Sequence, residues 1–376
     1  MCFVEPLNMK NNLDKNGPFY YHILTLVIKF YLNDITRFDK ANPAYSFVAN
    51  TTWKTFFQFR SFIQAYNIIE LSSYKEMNEP EGILITVSCR SEIHDLLLIY
   101  VPNIPLFGSE PFFYLEYLLT LHSLLLLQGF DSPAIFIIKF PEICKESPME
   151  YSLKVLAETY TNLVKNNPTS KVVLMGDSIG ATLILNYLSA KKNIFHNKDI
   201  VNLNNQNPNH TNGPFGSILI SPIVNFNLEN STGFQTQDYF DDKCLSRISN
   251  SFCVNTKLNK YNAASWTNPE IWNKIVPKGG LVITYGDSEL QSYDIENISK
   301  VAIETQVVKV LKGKDKGHCW QLLSFLTEET QDEKEDSCFV FAGILSRMAL
   351  YQTTAYRDPT MSHEPMNLLT IDDDHL

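Results

Sequence analysis

The sequence predicts an α/β fold, with a mostly parallel β-sheet that carries helices on both of its faces. Short runs rich in Val, Ile and Leu alternate with longer stretches whose apolar residues have helical spacing. The clearest short runs are residues 96–101, 134–138, 172–175, 217–220 and 281–285. Strands that alternate with helices form parallel sheets, because each helix returns the chain to the edge where the next strand must start.

Each element of the alternation follows from the length and pattern of its run. Continuous apolar runs of four to six residues are typical of buried parallel strands, and longer runs with apolar residues three or four positions apart are typical of helices. In chain order we predict strands at 83–87 and 96–101, a helix at 112–127, a strand at 134–138, a helix at 149–165, a strand at 172–175, a helix at 181–188, strands at 217–220, 281–285 and 305–311, and a final helix at 338–351.

The chain is long enough for one large domain. Its 376 residues are 44% hydrophobic, which suffices for a single core of this class. We predict an aromatic-rich N-terminal region at 1–80, the α/β domain at 81–351, and an insertion without clear strands at 226–277. An acidic linker is expected at 328–336. The polar, acidic tail at 352–376 is predicted to be disordered.

A serine lies between two glycines at Gly176-Asp177-Ser178-Ile179-Gly180. The predicted strand at 172–175 precedes this motif and the predicted helix at 181–188 follows it. A turn this tight needs small residues two positions before and after the serine, which the glycines provide. The context therefore predicts a nucleophile elbow, a sharp turn that presents Ser178 at the end of a strand.

A histidine and several carboxylates follow in the order that this serine requires. His318 lies in a glycine-containing loop after the last predicted strand, and Glu289 and Asp287 lie in the turn after the strand at 281–285. Glu289 is the preferred acid, with Asp287 or Asp294 as alternatives. A serine hydroxyl becomes a good nucleophile when a neutral imidazole takes its proton and a carboxylate orients that imidazole. The order nucleophile, acid, base is that of the α/β-hydrolases.

With these motifs, the chain resembles the fungal steryl acetyl hydrolases, a branch close to the hormone-sensitive-lipase-like esterases. The resemblance spans about residues 95–327 and rests on the stretches 176–181, 220–224, 268–272, 285–289 and 317–320. It implies an α/β-hydrolase fold with Ser178 as nucleophile, Glu289 as acid and His318 as base. It also implies a serine esterase that removes acetyl groups from sterols or similar hydrophobic alcohols at the endoplasmic reticulum, either on its membrane or in its lumen.

The resemblance further implies a cap over the site, formed by the N-terminal region and the insertion at 226–277. Aromatic residues of that insertion either line an apolar pocket or belong to the ordinary core. They are Tyr239, Phe240, Phe252, Tyr261, Trp266 and Trp272.

One motif of the family is replaced in this chain. Relatives carry a His-Gly-Gly-Gly run after the third strand, whose N–H groups bind the oxyanion formed during acyl transfer. Here that place holds Pro102-Asn103-Ile104-Pro105, in which the two prolines have no N–H to donate. We expect Ile179 to supply one backbone donor and Asn103 or Ile104 the second. A catalytically impaired or inactive homologue that binds a hydrophobic ligand is the alternative.

Charge and composition limit the partners. The net charge of −10 disfavours nucleic acid, and the cysteines and histidines lack the spacing of a zinc site. We therefore expect a small hydrophobic ester as the partner and no metal or cofactor. The apolar run at 19–32 is interrupted by His22 and Lys29, so it is either a peripheral membrane helix or a plain packing helix. A cytoplasmic location is the alternative to the endoplasmic reticulum.

Overall fold

The computed structural model describes residues 72–87, 93–103, 111–140, 148–191, 213–226, 240–252, 266–305, 307–327, 331–350 and 369–371. The apolar run at 19–32 and most of the predicted N-terminal region therefore lie outside the described residues, as do 227–239 and 253–265 of the predicted cap. No helix in the described part of the chain has both the length and the apolar character to cross a membrane.

Nine strands of the described residues form one sheet. In chain order they are β1 Ser72–Asn78, β2 Glu81–Val87, β3 Leu96–Val101, β4 Pro133–Ile138, β5 Lys171–Asp177, β6 Gly216–Ile220, β7 Leu281–Gly286, β8 Val308–Gly313 and β9 Leu369–Ile371. Their order across the sheet is β1-β2-β4-β3-β5-β6-β7-β8-β9. Strand β2 runs antiparallel to both of its neighbours, and all other neighbouring pairs are parallel.

Eight α-helices lie between and after these strands in the described residues. They are α1 Phe112–Leu127, α2 Pro148–Asn166, α3 Ile179–Lys191, α4 Asp242–Phe252, α5 Pro269–Ile275, α6 Ser292–Ala302, α7 Trp320–Thr327 and α8 Gln331–Ala349. Helix α1 packs against α8, and α3 packs against α2 and α5. Helix α1 is buried around nearly its whole circumference, because it lies between the sheet and α8.

The strand order creates a crevice in the middle of the sheet. From β3 the chain crosses through α1 to β4 on one side, whereas from β5 it crosses through α3 to β6 on the other. Because such crossovers are right-handed, α1 and α3 lie on opposite faces of the sheet. The carboxyl ends of β3 and β5, where Val101 pairs with Gly176, therefore flank a topological switch point. Ligands of open α/β sheets bind at such points.

The structure corrects three predicted boundaries. Strand β1 lies within the region 1–80 but belongs to the sheet. As an edge strand it has mostly polar residues, so the pattern of apolar runs did not predict it. The predicted linker at 328–336 is wrong from Gln331 onwards, where α8 begins. The predicted disorder of the tail is wrong at residues 369–371, where β9 pairs with the outer edge of β8 and satisfies its backbone groups.

Candidate active site

Ser178 occupies a sharp turn between β5 and α3. Its φ of 51° is in the left-handed region, and its N–H donates to the Ile220 carbonyl 2.8 Å away. A non-glycine residue pays for such a conformation in strain, which is typical of a nucleophile elbow. A Cβ atom on Gly176 would lie 2.7 Å from the Val101 carbonyl oxygen, and one on Gly180 would overlap the same oxygen. The end of β3 is therefore close enough to the elbow to require both glycines.

The structure brings together Ser178, His318 and Glu289. The Nε2 atom of His318 lies 2.9 Å from the Ser178 Oγ, and its Nδ1 atom lies 3.2 Å from Oε2 of Glu289. The three residues follow the carboxyl ends of β5, β8 and β7, which meet at one edge of the sheet. Each is at most 1% exposed. The resulting geometry is that of a Ser-His-acid relay, in which the acid faces the nitrogen remote from the serine.

The electrostatics of the site suit a charged imidazole. Burial raises the pKa of Glu289 well above its usual value, while hydrogen bonds with the Ser221 side chain and the Gly286 backbone lower it. A buried carboxylate gains most from a positive charge held beside it. Protonation of His318 places that charge 3.2 Å from Glu289, so the ion pair forms at the moment the serine loses its proton.

The two alternative acids are engaged elsewhere. Asp287 Oδ1 accepts hydrogen bonds from the Asp315 N–H at 2.7 Å and from the Ser288 hydroxyl at 3.2 Å, which links the turn after β7 to the loop after β8. Asp294 accepts from the Asn225 side-chain amide at 3.0 Å. Both carboxylates therefore hold loops in place, and Glu289 is the acid in contact with His318.

Ser221 supports the histidine loop and was not predicted as a site residue. It directly follows β6 with a φ of 45°, and its Oγ accepts a 2.9 Å hydrogen bond from the Cys319 N–H. Since Cys319 follows His318, this bond fixes the backbone next to the histidine, and the same serine side chain hydrogen-bonds with Glu289. The signal that could have revealed Ser221 is its position at the carboxyl end of a predicted strand, like the three relay residues.

Phe240 covers the histidine. Its ring stacks on the His318 imidazole, with 4.3 Å between ring centroids and 19° between ring planes. Phe240 belongs to the predicted cap and was named there as one of several aromatic residues. Trp266 and Trp272 of the same segment contact each other and are buried, with the Trp272 indole donating to the Trp266 carbonyl at 2.7 Å. Tyr239 and Tyr261 lie outside the described residues.

The two predicted oxyanion donors differ in the hydrogen bonding of their backbone N–H groups. Ile179 is the first residue of α3, and the first N–H groups of a helix have no carbonyl partner within it. The backbone N–H of Asn103, in contrast, donates to the Tyr114 hydroxyl at 3.0 Å. The backbone N–H of Asn103 is therefore engaged by Tyr114, and the assignment of Asn103 as the second oxyanion donor stays a prediction. Ile104 lies outside the described residues.

The sequence model of the steryl acetyl hydrolases matches residues 111–316, more than half of the chain. The chain belongs to the steryl acetyl hydrolase family. As a member of this family it is an esterase of the α/β-hydrolase superfamily. No curated protein sequence matches the chain significantly.

Solved structures share the fold of this steryl acetyl hydrolase family member. A hormone-sensitive lipase from a metagenome library is 14% identical, with a TM-score of 0.55 and coverage of 87% of this chain and 98% of that one. A hormone-sensitive-lipase homologue from a metagenome library is 13% identical, with a TM-score of 0.56 and coverage of 88% and 100%. An esterase of the bacterial hormone-sensitive lipase family is 13% identical, with a TM-score of 0.56 and coverage of 89% and 99%.

Proposed function

We propose that this esterase removes acetyl or other short acyl groups from hydrophobic alcohols such as sterols, with Ser178 as nucleophile, His318 as general base and Glu289 as the orienting acid. The observation that carries the proposal is the hydrogen-bond chain from Ser178 through His318 to Glu289 at the elbow. Membership of the steryl acetyl hydrolase family supports the substrate class.

The first half-reaction transfers the acyl group to the enzyme. The Ser178 Oγ attacks the ester carbonyl carbon while His318 Nε2 takes the hydroxyl proton, giving a tetrahedral intermediate with a negative oxygen. That intermediate collapses as the bond to the alcohol oxygen breaks, and the proton on His318 moves to the departing alcohol. Glu289 holds the imidazole orientation and stabilises its positive charge throughout.

The second half-reaction frees the enzyme. Water attacks the acyl carbon of acyl-Ser178, and His318 takes one of its protons. The bond to the Ser178 Oγ then breaks, the same proton returns to that oxygen, and the carboxylic acid departs. Both intermediates carry a negative oxygen, and the proposed donor to that oxygen is the Ile179 N–H at the start of α3. One such donor typically contributes about 3–4 kcal/mol to the transition state.

Fluorophosphonate labelling tests the chemistry. Wild-type protein is expected to react covalently at one residue, identified by mass spectrometry as Ser178, and Ser178→Ala is expected to lose the label. A folded wild-type protein that does not react would contradict the proposal and favour a homologue that only binds a hydrophobic ligand.

A panel of esters tests the substrate class. It compares a sterol acetate with the matching sterol esters of longer acids and with acetates of short, polar alcohols. We expect the highest kcat/KM for short acyl groups on large apolar alcohols. Equal or faster hydrolysis of polar acetates would retain the serine hydrolase but reject the sterol-like substrate.

A further inference from the structure

The backbone after β3 is held by buried side chains where the relatives use glycines. The Tyr114 hydroxyl accepts the Asn103 N–H at 3.0 Å and donates to Oδ2 of Asp177 at 3.2 Å. The Tyr100 hydroxyl donates to Oδ1 of Asp177 at 3.0 Å. All four residues are at most 1% exposed. This bridge links α1, the loop after β3 and the residue that directly precedes Ser178.

The bridge holds the loop against the elbow. Val101 pairs with Gly176 in the sheet, and a Cβ on Gly180 would lie 2.9 Å from the Pro102 carbonyl oxygen. Residues 101–103 therefore lie directly beside the turn that carries Ser178. A second oxyanion donor must come from a group in this position, next to the first N–H groups of the elbow helix.

The oxygen of the Asn103 side-chain amide has no hydrogen-bond partner within the part of the chain that the structure describes. This Oδ1 atom is buried there, and the whole residue is 1% exposed. A buried amide oxygen without a partner costs about 1–3 kcal/mol, so the position of this group calls for a ligand, a water molecule or a role in the reaction. Rotation about the Cβ–Cγ bond interchanges its oxygen and nitrogen, so the same amide can present an N–H to an anion.

We propose that the side-chain amide of Asn103 is the second oxyanion donor, and that Tyr114 is a positioning residue that holds it in place through the bridge to Asp177. The inference rests on the proposed serine hydrolase function and deepens it. Asn103 Nδ2 and the Ile179 N–H together donate to the negative oxygen of each tetrahedral intermediate. No covalent bond to Asn103 forms or breaks, and its proton stays on the amide.

Substitution of Asn103 separates a side-chain donor from a backbone donor. Asn103→Ala keeps the backbone N–H and removes only the amide, and Asn103→Asp keeps the shape but leaves no amide N–H. We expect kcat to fall about a hundredfold or more in both, with KM changed less than about threefold, because the lost bond forms only in the transition state. The rate of fluorophosphonate labelling should fall in parallel, since the phosphoryl oxygen occupies the same place.

Tyr114→Phe tests the bridge, and Tyr117→Phe is its matched control. Both tyrosines are fully buried on α1, but the Tyr117 hydroxyl has no partner among the described residues. We expect kcat to fall about tenfold for Tyr114→Phe, with KM nearly unchanged, since the bridge orients a group used only in the transition state. Tyr117→Phe should keep the wild-type kcat.

The outcomes separate this inference from the proposed function. Wild-type reactivity at Ser178 with unchanged kcat in the Asn103 variants would reject the side-chain donor and leave the hydrolase intact. A wild-type protein without reactivity at Ser178 would reject both. Circular dichroism and thermal melts show whether each variant folds. If Asn103→Ala does not fold, the isosteric Asn103→Asp decides.

Discussion

Ser178 with His318 and Ser72 with His122 are both buried serine–histidine pairs, and their hydrogen bonds are of similar length. The Ser178 Oγ lies 2.9 Å from a His318 nitrogen, and the Ser72 Oγ lies 2.7 Å from Nδ1 of His122. The third partner differs. The remaining nitrogen of His318 faces the Glu289 carboxylate, whereas Nε2 of His122 lies 2.9 Å from the Pro133 carbonyl oxygen.

The third partner decides whether the imidazole can accept a proton. The Pro133 carbonyl takes a hydrogen bond from His122 but carries no full negative charge, and burial lowers the pKa of His122 to about 4. Its imidazole is therefore a poor proton acceptor at physiological pH and a weak base for Ser72. The pair instead ties β1 and β4 to α1. A serine–histidine hydrogen bond is thus not sufficient evidence of catalysis.

The position in the sheet differs as well. Ser72 and Pro133 begin β1 and β4, so the second pair lies at the amino edge of the parallel strands. The relay residues follow the carboxyl ends of β5, β7 and β8, where the strand order opens a crevice. Chemistry and topology therefore both point to catalysis at Ser178, and both point away from catalysis at Ser72.

Exchange of each histidine for alanine should give opposite results. We expect His318→Ala to lower the rate of ester hydrolysis about ten-thousandfold, because the serine loses its base. His122→Ala should leave the rate within about threefold but lower the free energy of unfolding by about 2–4 kcal/mol, because Ser72 and Pro133 lose buried partners. Ester hydrolysis and urea unfolding measure the two effects. A rate loss in His122→Ala comparable to that in His318→Ala would contradict the comparison.

Only the carboxylate that contacts the imidazole should have a large effect on kcat. We expect Glu289→Gln to lower kcat by about 10³–10⁴, because the amide neither fixes the correct tautomer nor stabilises the imidazolium. Asp287→Asn is the control, since Asp287 only links two loops, and its kcat should fall less than about tenfold. Steady-state kinetics on a short-chain ester measure both. A larger loss in Asp287→Asn would reassign the acid.

The free energy of unfolding should depend on pH, because His122 stays neutral in the folded protein. The pKa of His122 is about 4 in the folded protein, below the ordinary value of 6.5, so between these values the unfolded chain binds more protons. The free energy of unfolding is therefore expected to fall as the pH drops from about 6.5 to about 4, by about 1–3 kcal/mol from this group.

His122→Gln removes this titration. The difference in unfolding free energy between wild type and variant, measured by urea titration at several pH values, should shrink as the pH falls through this window. Its neighbour His94, whose pKa burial also lowers, remains in both proteins. A difference independent of pH would show that His122 does not stay neutral on folding.

The aromatic cover of His318 should have the smallest effect. A stacked ring contributes about 0.5–1.5 kcal/mol beyond its buried area, so Phe240→Ala is expected to lower kcat/KM about threefold to tenfold. Phe240→Leu keeps an apolar contact without a flat ring, so its kcat/KM should lie between the values of Phe240→Ala and wild type. Phe339→Ala removes an aromatic ring that is 53% exposed on α8 and is expected to have no effect. Equal rates for all three variants would show that the stack does not hold the imidazole.

Much of the fold follows from local pattern. Buried strands such as β3 and β5 are continuous apolar runs, which the sequence shows directly. The elbow can also be predicted from the sequence, because its two glycines lie where another backbone comes too close for a Cβ atom. Strand β1 was missed because an edge strand has exposed, polar residues. Strand β9 has only three residues and depends on the free edge of β8, which no local signal reveals.

The sequence by itself determined the alternation of strands and helices, the elbow at Ser178 and the order of nucleophile, acid and base, because these depend on residue type and spacing. The tertiary structure alone decided that Glu289 contacts His318 while Asp287 links two loops, since both residues lie in the same turn. It also decided that Tyr114 takes the backbone N–H of Asn103. These partners are either distant in sequence or, like the two carboxylates, of the same chemical type. Only the packing of the strand ends therefore fixes which groups come within hydrogen-bond distance.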